Sequence, residues 1–329
     1  MQWNDLNKFP WSIPLGSVLR IPIRLHVTFF ILWIAQTLGS IYYGTWYVIL
    51  SLIVMGPLLL TTILVHELGH CLAARYIGGT AESILLWPLG GLACIGYNTT
   101  YLRAIWVAAA GPLTHIPMVA IWVALLFPAY HASTGSWHIT LHQPPVDQSH
   151  FGHALVVWAI VLNITLFAFN ILVPAYPLDG GRILANALMA MGASMRITAI
   201  ATVSIATPIA VGLFVFGILV FQMVTILVAV FIFFSTFQLF MAIRHDKLSE
   251  HPLFASVSAG GTGPAAGVGG GAPAPTAHAN APGWTYPGFQ ASKSGTAAGF
   301  GAPGYPGPSN GASVAGRQPG SVYYVGNAV

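Results

Sequence analysis

Long apolar stretches alternate with short polar connections along the first 245 residues of the chain. A helix needs about 20 mostly apolar residues to cross the hydrocarbon core of a bilayer. The stretches of that length predict six membrane spans: 26–44, 47–75, 104–128, 152–174, and a run at 197–243 that is long enough for two. We expect the turn inside that last run to lie between Gly212 and Gln222.

Two segments interrupt this helical pattern. Residues 84–101 are apolar but contain Pro88 and three glycines, which suits a re-entrant, strand-like hairpin better than a helix. Residues 170–182 contain two prolines and a glycine pair, so the helix is expected to break there and a short one to restart over 183–193. The predicted fold class is an all-α polytopic membrane protein of about six transmembrane helices with a membrane-associated re-entrant β-like hairpin.

The composition supports a membrane protein and excludes a soluble domain. Of the 329 residues, 56% are hydrophobic and only 5% are charged, whereas about a quarter of the residues are charged in a soluble domain. The net charge of +4 comes from scattered bases that form no patch interleaved with aromatic residues. The expected surroundings are therefore the lipid bilayer, with no nucleic acid as a partner.

The bases predict the orientation of the spans. Cytoplasmic loops of membrane proteins are enriched in Lys and Arg. With six spans, all bases before residue 250 fall on one side, and the connection at 129–151 on the other side has none. Those bases are Lys8, Arg20, Arg24, Arg75, Arg103, Arg182, Arg196, Arg244 and Lys247. We therefore expect a multi-pass protein of the cell (plasma or inner) membrane with both termini in the cytoplasm.

Composition also divides the chain into three parts. Residues 1–25 are predicted to be a cytoplasmic N-terminal segment, and residues 26–245 the transmembrane domain that carries the chemistry. Residues 246–329 are predicted to be a disordered cytoplasmic tail, because Gly, Pro and Ala dominate it and hydrophobic periodicity is lost from about residue 252.

The candidate chemistry lies in the second span. His66 and His70 flank Glu67 in a His-Glu-x-x-His motif, which on a helix places two imidazoles one turn apart beside a carboxylate. A catalytic zinc keeps three protein ligands and an open position for water, so a third ligand is required. Between residues 25 and 243 the acids are Glu67, Glu82, Asp147 and Asp179, and only Asp179 joins Glu67 near bilayer depth. Asp179 is therefore the predicted third ligand of one Zn²⁺ per chain.

The predicted reaction is peptide hydrolysis. Zinc lowers the pKa of its bound water to about 7 and polarises the carbonyl under attack. In this hypothesis Glu67 stays out of the coordination sphere, takes the proton from the water, and returns it to the leaving amine. A charged group at bilayer depth is costly, and such residues are by default candidates for function.

The ordered motifs resemble those of the site-2 protease family of intramembrane zinc metalloproteases. The motifs are residues 66–70, Pro88-Leu89-Gly90-Gly91, Ala110-Gly111-Pro112, and the segment from Asn170 to Gly181. The resemblance covers about residues 15–245 and implies the six-span prokaryotic type without PDZ or CBS domains. It implies that His66, His70 and Asp179 bind zinc, that Glu67 is the catalytic base, and that Asn170 binds the substrate backbone or the oxyanion.

The same resemblance implies a substrate class and shows one departure. The expected substrate is the transmembrane segment of a single-pass protein, such as an anti-sigma factor, a membrane-bound transcription factor precursor or a remnant signal peptide. The glycine-bearing hairpin would pair with an unwound substrate strand. The family usually has Asn three residues after the Pro of its Ala-Gly-Pro motif, whereas this chain has His115. A role of His115 as a hydrogen-bond donor stays open.

A different class of function also fits the ligand set. A zinc-binding membrane transporter or metal-handling protein would use His66, His70 and Asp179 as a transit site. The histidines at 131–153 would then act as a metal collector, although their irregular spacing favours a solvated loop. A transporter has no need for Glu67 beside the ligands or for a strand-like hairpin, so intramembrane proteolysis is the favoured hypothesis.

Overall fold

The computed structural model describes residues 11–97, 99–138, 144–255 and 323–328. Within these residues the chain forms ten α-helices, two short 3-10 helices at Ile41–Tyr43 and Leu248–Glu250, a π-helical turn and a five-stranded sheet. The helices are α1 Thr28–Gly39, α2 Thr45–Ile53, α3 Leu59–Tyr76, α4 Tyr101–Leu113, α5 His115–Thr134, α6 Phe151–Leu172, α7 Asp179–Ala190, α8 Met195–Leu219, α9 Met223–Arg244 and α10 Pro252–Ala255. The strands are β1 Ser12–Val18, β2 Ile21–His26, β3 Thr80–Trp87, β4 Gly90–Gly96 and β5 Tyr323–Ala328.

Five helical segments in the described part of the chain are long and apolar enough to cross a membrane. They are Thr45–Tyr76, Tyr101–Thr134, Phe151–Leu172, Met195–Leu219 and Met223–Arg244. The predicted first span, 26–44, instead contains α1 with 12 residues, which extends about 18 Å and is shorter than the hydrocarbon core of about 30 Å. The number of six spans is therefore not confirmed.

A π-helical turn at Val54–Leu58 joins α2 to α3. Pro57 has no N–H to donate, so the regular hydrogen-bond ladder is interrupted there. Gly56 in this turn leaves room for the Trp33 ring of α1, whose Nε1 donates to the carbonyl of Leu52 at 3.0 Å. These contacts hold the short α1 against α2 and the π-helical turn that leads into α3.

The sheet was only partly predicted. Its order is β1-β2-β3-β4-β5, and all neighbouring pairs are antiparallel except the parallel pair β2–β3. The hairpin of β3 and β4 spans residues 80–96 rather than 84–101, since α4 already begins at Tyr101. In β2, Ile21, Ile23 and Leu25 are buried and alternate with less buried residues. This period of two is typical of a strand, whereas residues 1–25 were predicted only as a cytoplasmic segment.

The sheet packs against the helix that carries the motif. Ile63, Cys71 and Ala74 of α3 belong to one buried cluster together with Ile84 of β3 and Ile95 of β4. Strand β2 contributes Ile21 and Ile23 to the same cluster. The hairpin is thereby held alongside α3, and this contact brings β4 next to Glu67.

Two further buried clusters involve the last two long helices, α8 and α9. Leu89 of the β3–β4 turn packs with Leu178 and with Ile232 of α9. Met189 of α7 packs with Leu239 of α9 and with Phe254, which is fully buried. Leu253 and Phe254 of the predicted tail are thus part of this buried cluster, while residues 256–322 of the tail lie outside the described residues.

Candidate metal centre

His66 and His70 lie on one face of α3 because residues four apart on a helix are neighbours on its surface. Both are buried, with 3% and 0% of their surface exposed. Asp179 at the first position of α7 is also fully buried and faces them. The structure thus brings together the three side chains that the sequence predicts as ligands, across more than a hundred residues of chain.

The three ligand atoms form a nearly equilateral triangle. Nε2 of His66 and Nε2 of His70 lie 3.2 Å apart, and each lies 3.3 Å from Oδ2 of Asp179. In a tetrahedral complex with bonds of about 2.0 Å, two ligand atoms are separated by about 3.3 Å. The observed triangle therefore has the size of three corners of a tetrahedral zinc site, and the donor set of two imidazoles and one carboxylate is one that zinc accepts.

A backbone carbonyl orients His70. Nδ1 of His70 donates to the carbonyl of Val107 on α4 at 2.7 Å, which leaves Nε2 as the lone-pair atom directed at the triangle. This approach requires glycine at 111, because a Cβ there would overlap the imidazole ring of His70. Gly69 has the corresponding function on α3, since its Cβ would lie 2.6 Å from the carbonyl oxygen of Ala110. The Gly of each motif therefore lets α3 and α4 pack closely.

The break before α7 positions Asp179. Helix α6 ends at Leu172, and the following residues up to Leu178 are not helical, in line with Pro174 and Pro177. Gly181 then lets the first turn of α7 approach this segment, because a Cβ there would lie 2.7 Å from the carbonyl oxygen of Ala175. The helix starts at Asp179 itself, four residues earlier than predicted.

Glu67 lies beside the triangle and against the hairpin. Its carboxylate is fully buried and packs on Gly91 of β4, where any Cβ would overlap it. Glu67 and His66 line a small pocket together with Ile63, Gly91, His115, Leu166 and Asn170. Because Gly91 of the Pro-Leu-Gly-Gly motif has no side chain, its backbone lies directly next to the carboxylate of Glu67, the predicted base.

Asn170 also reaches this pocket, from the last turn of α6. Its side chain is buried, and Nδ2 donates to the carbonyl of Leu166 at 3.1 Å. Its Oδ1 has no partner among the residues that the structure describes. A buried acceptor in this position is costly unless something donates to it.

The described histidines of the 131–153 connection do not join the site. The His131 ring stacks on Trp137, and the His153 ring lies in a buried position near Tyr130. Hydrogen bonds from Ser149 and His150 hold the pKa of Asp147 well below its ordinary value. Apart from His66, His70 and Asp179, the described residues contain no group of three His, Cys, Asp or Glu side chains that could hold a metal ion. His142 lies outside the described residues.

Asn163 was not among the predicted site residues. It is fully buried on α6 and lies next to His115, which in turn contacts His66. The sequence carries a signal for it, because an amide in the middle of a predicted span needs a polar partner. What the sequence does not indicate is which helix supplies that partner.

The fold and the site define a membrane protein with a buried metal site of the metalloprotease type. Residues 55–216 match the family model of peptidase family M50. It is 32% identical over 238 residues to "Zinc metalloprotease MJ0392" of Methanocaldococcus jannaschii, a match that covers 69% of this chain and 60% of that relative. It is 29% identical to "Putative zinc metalloprotease Rip3" of Mycobacterium tuberculosis, over 75% of this chain and 62% of that protein.

The chain thus spans about three fifths of the length of these two relatives. Stage IV sporulation protein FB of Bacillus subtilis is 28% identical over 52% of this chain and 49% of its own length. Among solved structures, the site-2 protease from Methanocaldococcus jannaschii is 27% identical, with a TM-score of 0.46 over 69% of this chain and 94% of that one.

Proposed function

We propose that this chain is an intramembrane zinc endopeptidase that hydrolyses a peptide bond in the transmembrane segment of a single-pass membrane protein. The observation that carries this proposal is the convergence of His66, His70 and Asp179 at zinc-ligand spacing with Glu67 beside them. All four groups are buried, and α3, which carries three of them, lies in a helical segment long enough to cross a membrane.

Each residue then has one role. Bound zinc supplies Lewis acidity toward a water molecule and toward the carbonyl of the scissile bond. His66, His70 and Asp179 hold the metal, and Glu67 accepts the proton of the attacking water and delivers it to the leaving amine. The burial of Glu67 excludes bulk water from this transfer, so its proton reaches the leaving group rather than solvent.

Asn170 is proposed to bind the substrate backbone. Its Nδ2 is already engaged by the carbonyl of Leu166, whereas its Oδ1 is an available acceptor that lines the pocket. An acceptor suits a backbone N–H of an extended substrate better than a developing oxyanion. Of the two functions that the family resemblance implies for Asn170, the geometry favours substrate binding.

The hairpin is proposed to hold the substrate in an extended form. A helical substrate hides its scissile carbonyl inside the helix, so it has to unwind before attack. Addition of a strand to the edge of β4 satisfies the backbone groups of the unwound segment. Gly90 and Gly91 open this strand, and Gly91 lies directly against Glu67. The unwound segment would then lie one strand spacing from the backbone that contacts the base.

A second cavity offers a route for the substrate helix. It has a volume of about 230 Å³ and lies between α1, the end of the π-helical turn, the β3–β4 turn, α6 and α9. Leu166 lines both this cavity and the pocket at Glu67. A transmembrane helix that inserts a side chain into the larger cavity would meet the site at Leu166.

The membrane arrangement is part of the proposal. We place α1 as a sixth, short membrane-inserted element, the β3–β4 hairpin as re-entrant, both termini in the cytoplasm, and the site near the cytoplasmic end of α3. The absence of Lys and Arg from 129–151 and the bases before β3 and after α9 support this orientation. Substrates would include single-pass proteins of the anti-sigma, transcription-factor precursor or remnant signal peptide type.

The test is reconstitution into liposomes with single-pass proteins that carry a tag on each side of the membrane. Wild type and the control variant Glu82→Gln, which changes an exposed acid, are expected to cleave the substrates and so separate the two tags. Glu67→Gln is expected to bind zinc but to leave the substrates intact. Zinc uptake into the liposomes by all three proteins, without cleavage, would instead establish the transporter.

A further inference from the structure

His115 is the first residue of α5. Its side chain is buried, with 1% of its surface exposed. Nε2 of His115 lies 3.1 Å from Nδ1 of His66, and Nδ1 of His115 lies 3.0 Å from Oδ1 of Asn163. The ring therefore stands between a predicted metal ligand on α3 and an amide on α6.

The hydrogen-bond partners assign every proton along this chain of side chains. Nδ2 of Asn163 donates to the carbonyl of Ala159 at 2.9 Å, which identifies Oδ1 as the atom that faces His115. Nδ1 of His115 must then donate to Oδ1, so a neutral His115 presents the lone pair of Nε2. That lone pair accepts the Nδ1 hydrogen of His66, and Nε2 of His66 is left as the lone-pair atom that faces Asp179.

We propose that His115 and Asn163 are positioning residues that fix the tautomer and the ring orientation of His66 for metal binding. This inference rests on the proposed zinc site. A partner for the second ring nitrogen is a common requirement of metal-bound histidines, and it usually raises metal affinity 10- to 100-fold. The carbonyl of Val107 is this partner for Nδ1 of His70. For Nδ1 of His66 the partner is the ring of His115 on α5, which Asn163 on α6 holds in turn.

The test measures zinc binding directly, by competition with a chelator of known affinity. His115→Leu removes both contacts of the ring and is expected to weaken zinc binding roughly 10- to 100-fold. Asn163→Leu is expected to weaken it in the same direction, and the two changes together are expected to cost less than their sum because they act through one chain of hydrogen bonds. Asn163→Asp keeps the acceptor and is expected to retain binding close to wild type.

A matched control is His153→Leu. It also removes a buried histidine, but one that lies on α6 near Tyr130 and is not part of the triangle. It is expected to bind zinc as wild type does. The absorption spectrum of the cobalt-substituted protein is expected to change in His115→Leu but not in His153→Leu, because the orientation of one ligand ring is altered.

Unchanged zinc affinity and an unchanged cobalt spectrum in folded His115→Leu and Asn163→Leu would overturn the inference. Loss of cleavage in His115→Leu with wild-type zinc binding would also overturn it, since His115 would then act on the substrate. If the wild-type protein bound no zinc, the proposed function itself would fail, and this result is distinct from an effect limited to the variants.

A second observation concerns the edge of β4. Strand β5, residues 323–328 near the C-terminus, pairs antiparallel with β4, from Gly90 opposite Ala328 to Ile95 opposite Tyr323. Because the other side of β4 pairs with β3, β5 occupies the one remaining edge of β4. This is the edge at which the proposed function requires an extended substrate.

We infer that residues 323–328 are an intramolecular competitor for the substrate-binding edge of β4. Asn327 lies opposite Gly91, which is the residue of β4 that contacts Glu67. Adjacent strands lie about 4.8 Å apart, so β5 lies one strand spacing from the backbone that contacts the base. A substrate strand and β5 cannot pair with this edge at the same time.

The experiment compares the full chain with a variant that ends at Gly320 and with the double variant Tyr324→Pro/Val325→Pro. Backbone N–H groups alternate in direction along a strand, so one of the two prolines removes a hydrogen bond to β4. Both variants are expected to cut single-pass substrates several-fold faster and to show faster hydrogen exchange over 90–95. The control Ala315→Pro/Gly316→Pro places two prolines in the tail ahead of β5.

A synthetic peptide of residues 321–329 is expected to slow the shortened variant when it is added at high concentration. Equal hydrogen exchange over 90–95 in the full and shortened chains would overturn the inference, whether or not the protein cleaves anything. Absence of cleavage by all variants, with a change in exchange, would count against the proposed function and not against the pairing of β5.

Discussion

At the scale of single residues, each predicted ligand is oriented by a different part of the fold. The carbonyl of Val107 orients His70, the ring of His115 contacts His66, and the start of α7 carries Asp179. Three elements therefore have to be in place before the triangle has zinc-ligand dimensions. Metal affinity depends on helix packing as well as on ligand identity.

Gly111→Ala tests this dependence. The added Cβ would overlap the His70 imidazole, so the ring has to turn away or α4 has to move. We expect zinc content in the purified protein to fall at least several-fold, measured by mass spectrometry of bound metal. The control is Gly152→Ala in α6, where nothing lies within 4 Å of the added Cβ. Full zinc content in Gly111→Ala would contradict the close packing of α3 and α4 at this point.

At the scale of elements, α6 separates the apolar cavity from the site. Leu166 is buried and lines both spaces, and α6 also carries Asn163 and Asn170. One helix thus contributes to His66 orientation, to the proposed substrate contact and to the proposed route for the substrate.

Leu166→Trp is expected to fill the passage between the two spaces. Cleavage of single-pass substrates would then fall by roughly tenfold or more, because a bulky side chain in a packed space excludes the substrate strand. Zinc content would remain at the wild-type level. Leu172→Trp is the matched control, since Leu172 lies on the same helix with 72% of its surface exposed. Normal cleavage by folded Leu166→Trp would place the route elsewhere.

The segment after α9 is expected to respond to pH through His251. Burial lowers the pKa of His251 to about 4, so the folded state favours the neutral ring. Its contribution to stability is complete above pH 6.5 and is lost as the pH falls from 6.5 toward 4, because the unfolded state binds the proton more readily. At pH 5 the loss is about 2 kcal/mol.

We expect the thermal midpoint of the purified protein to fall more between pH 7.5 and pH 5 in wild type than in His251→Asn. The Asn oxygen can accept the Leu253 N–H that Nδ1 of His251 accepts, without a titrating ring. Equal falls in the two proteins would show that His251 does not titrate on unfolding in this range.

The sequence was informative about elements wherever one local property decides the structure. Long apolar runs identify α8 and α9, and the spacing of His66 and His70 identifies one face of a helix. The contact of Trp33 in α1 with Gly56, and the close approach of Gly181 in α7 to Ala175, arise from packing that no local pattern encodes. The parallel pairing of β2 with β3 is likewise a contact between distant segments.

The same distinction between local pattern and packing holds for the site. Asp179 could be predicted because very few acidic residues occur in the predicted membrane region. The partners His115 and Asn163 could not be assigned, since their relation to His66 arises from the packing of three helices. Motif glycines such as Gly69 and Gly111 were recognised as a pattern, but their physical function in helix packing requires the structure.

At the scale of the whole molecule, the proposed metal site is buried among helices that are long and apolar enough to cross a membrane. The central proposal is that this site cuts peptide bonds inside transmembrane segments and that Glu67 is the base. The substrate does not have to be known in advance, because hydrolysis leaves new chain ends whose positions can be mapped.

The most direct measurement is mass spectrometry of new peptide termini in cell membranes that contain either the wild-type protein or Glu67→Gln at equal abundance. We predict new termini inside the transmembrane segments of one or a few single-pass proteins, present with wild type and absent with Glu67→Gln, while both proteins bind one zinc ion per chain. The same new termini in both membranes would contradict the proposed mechanism.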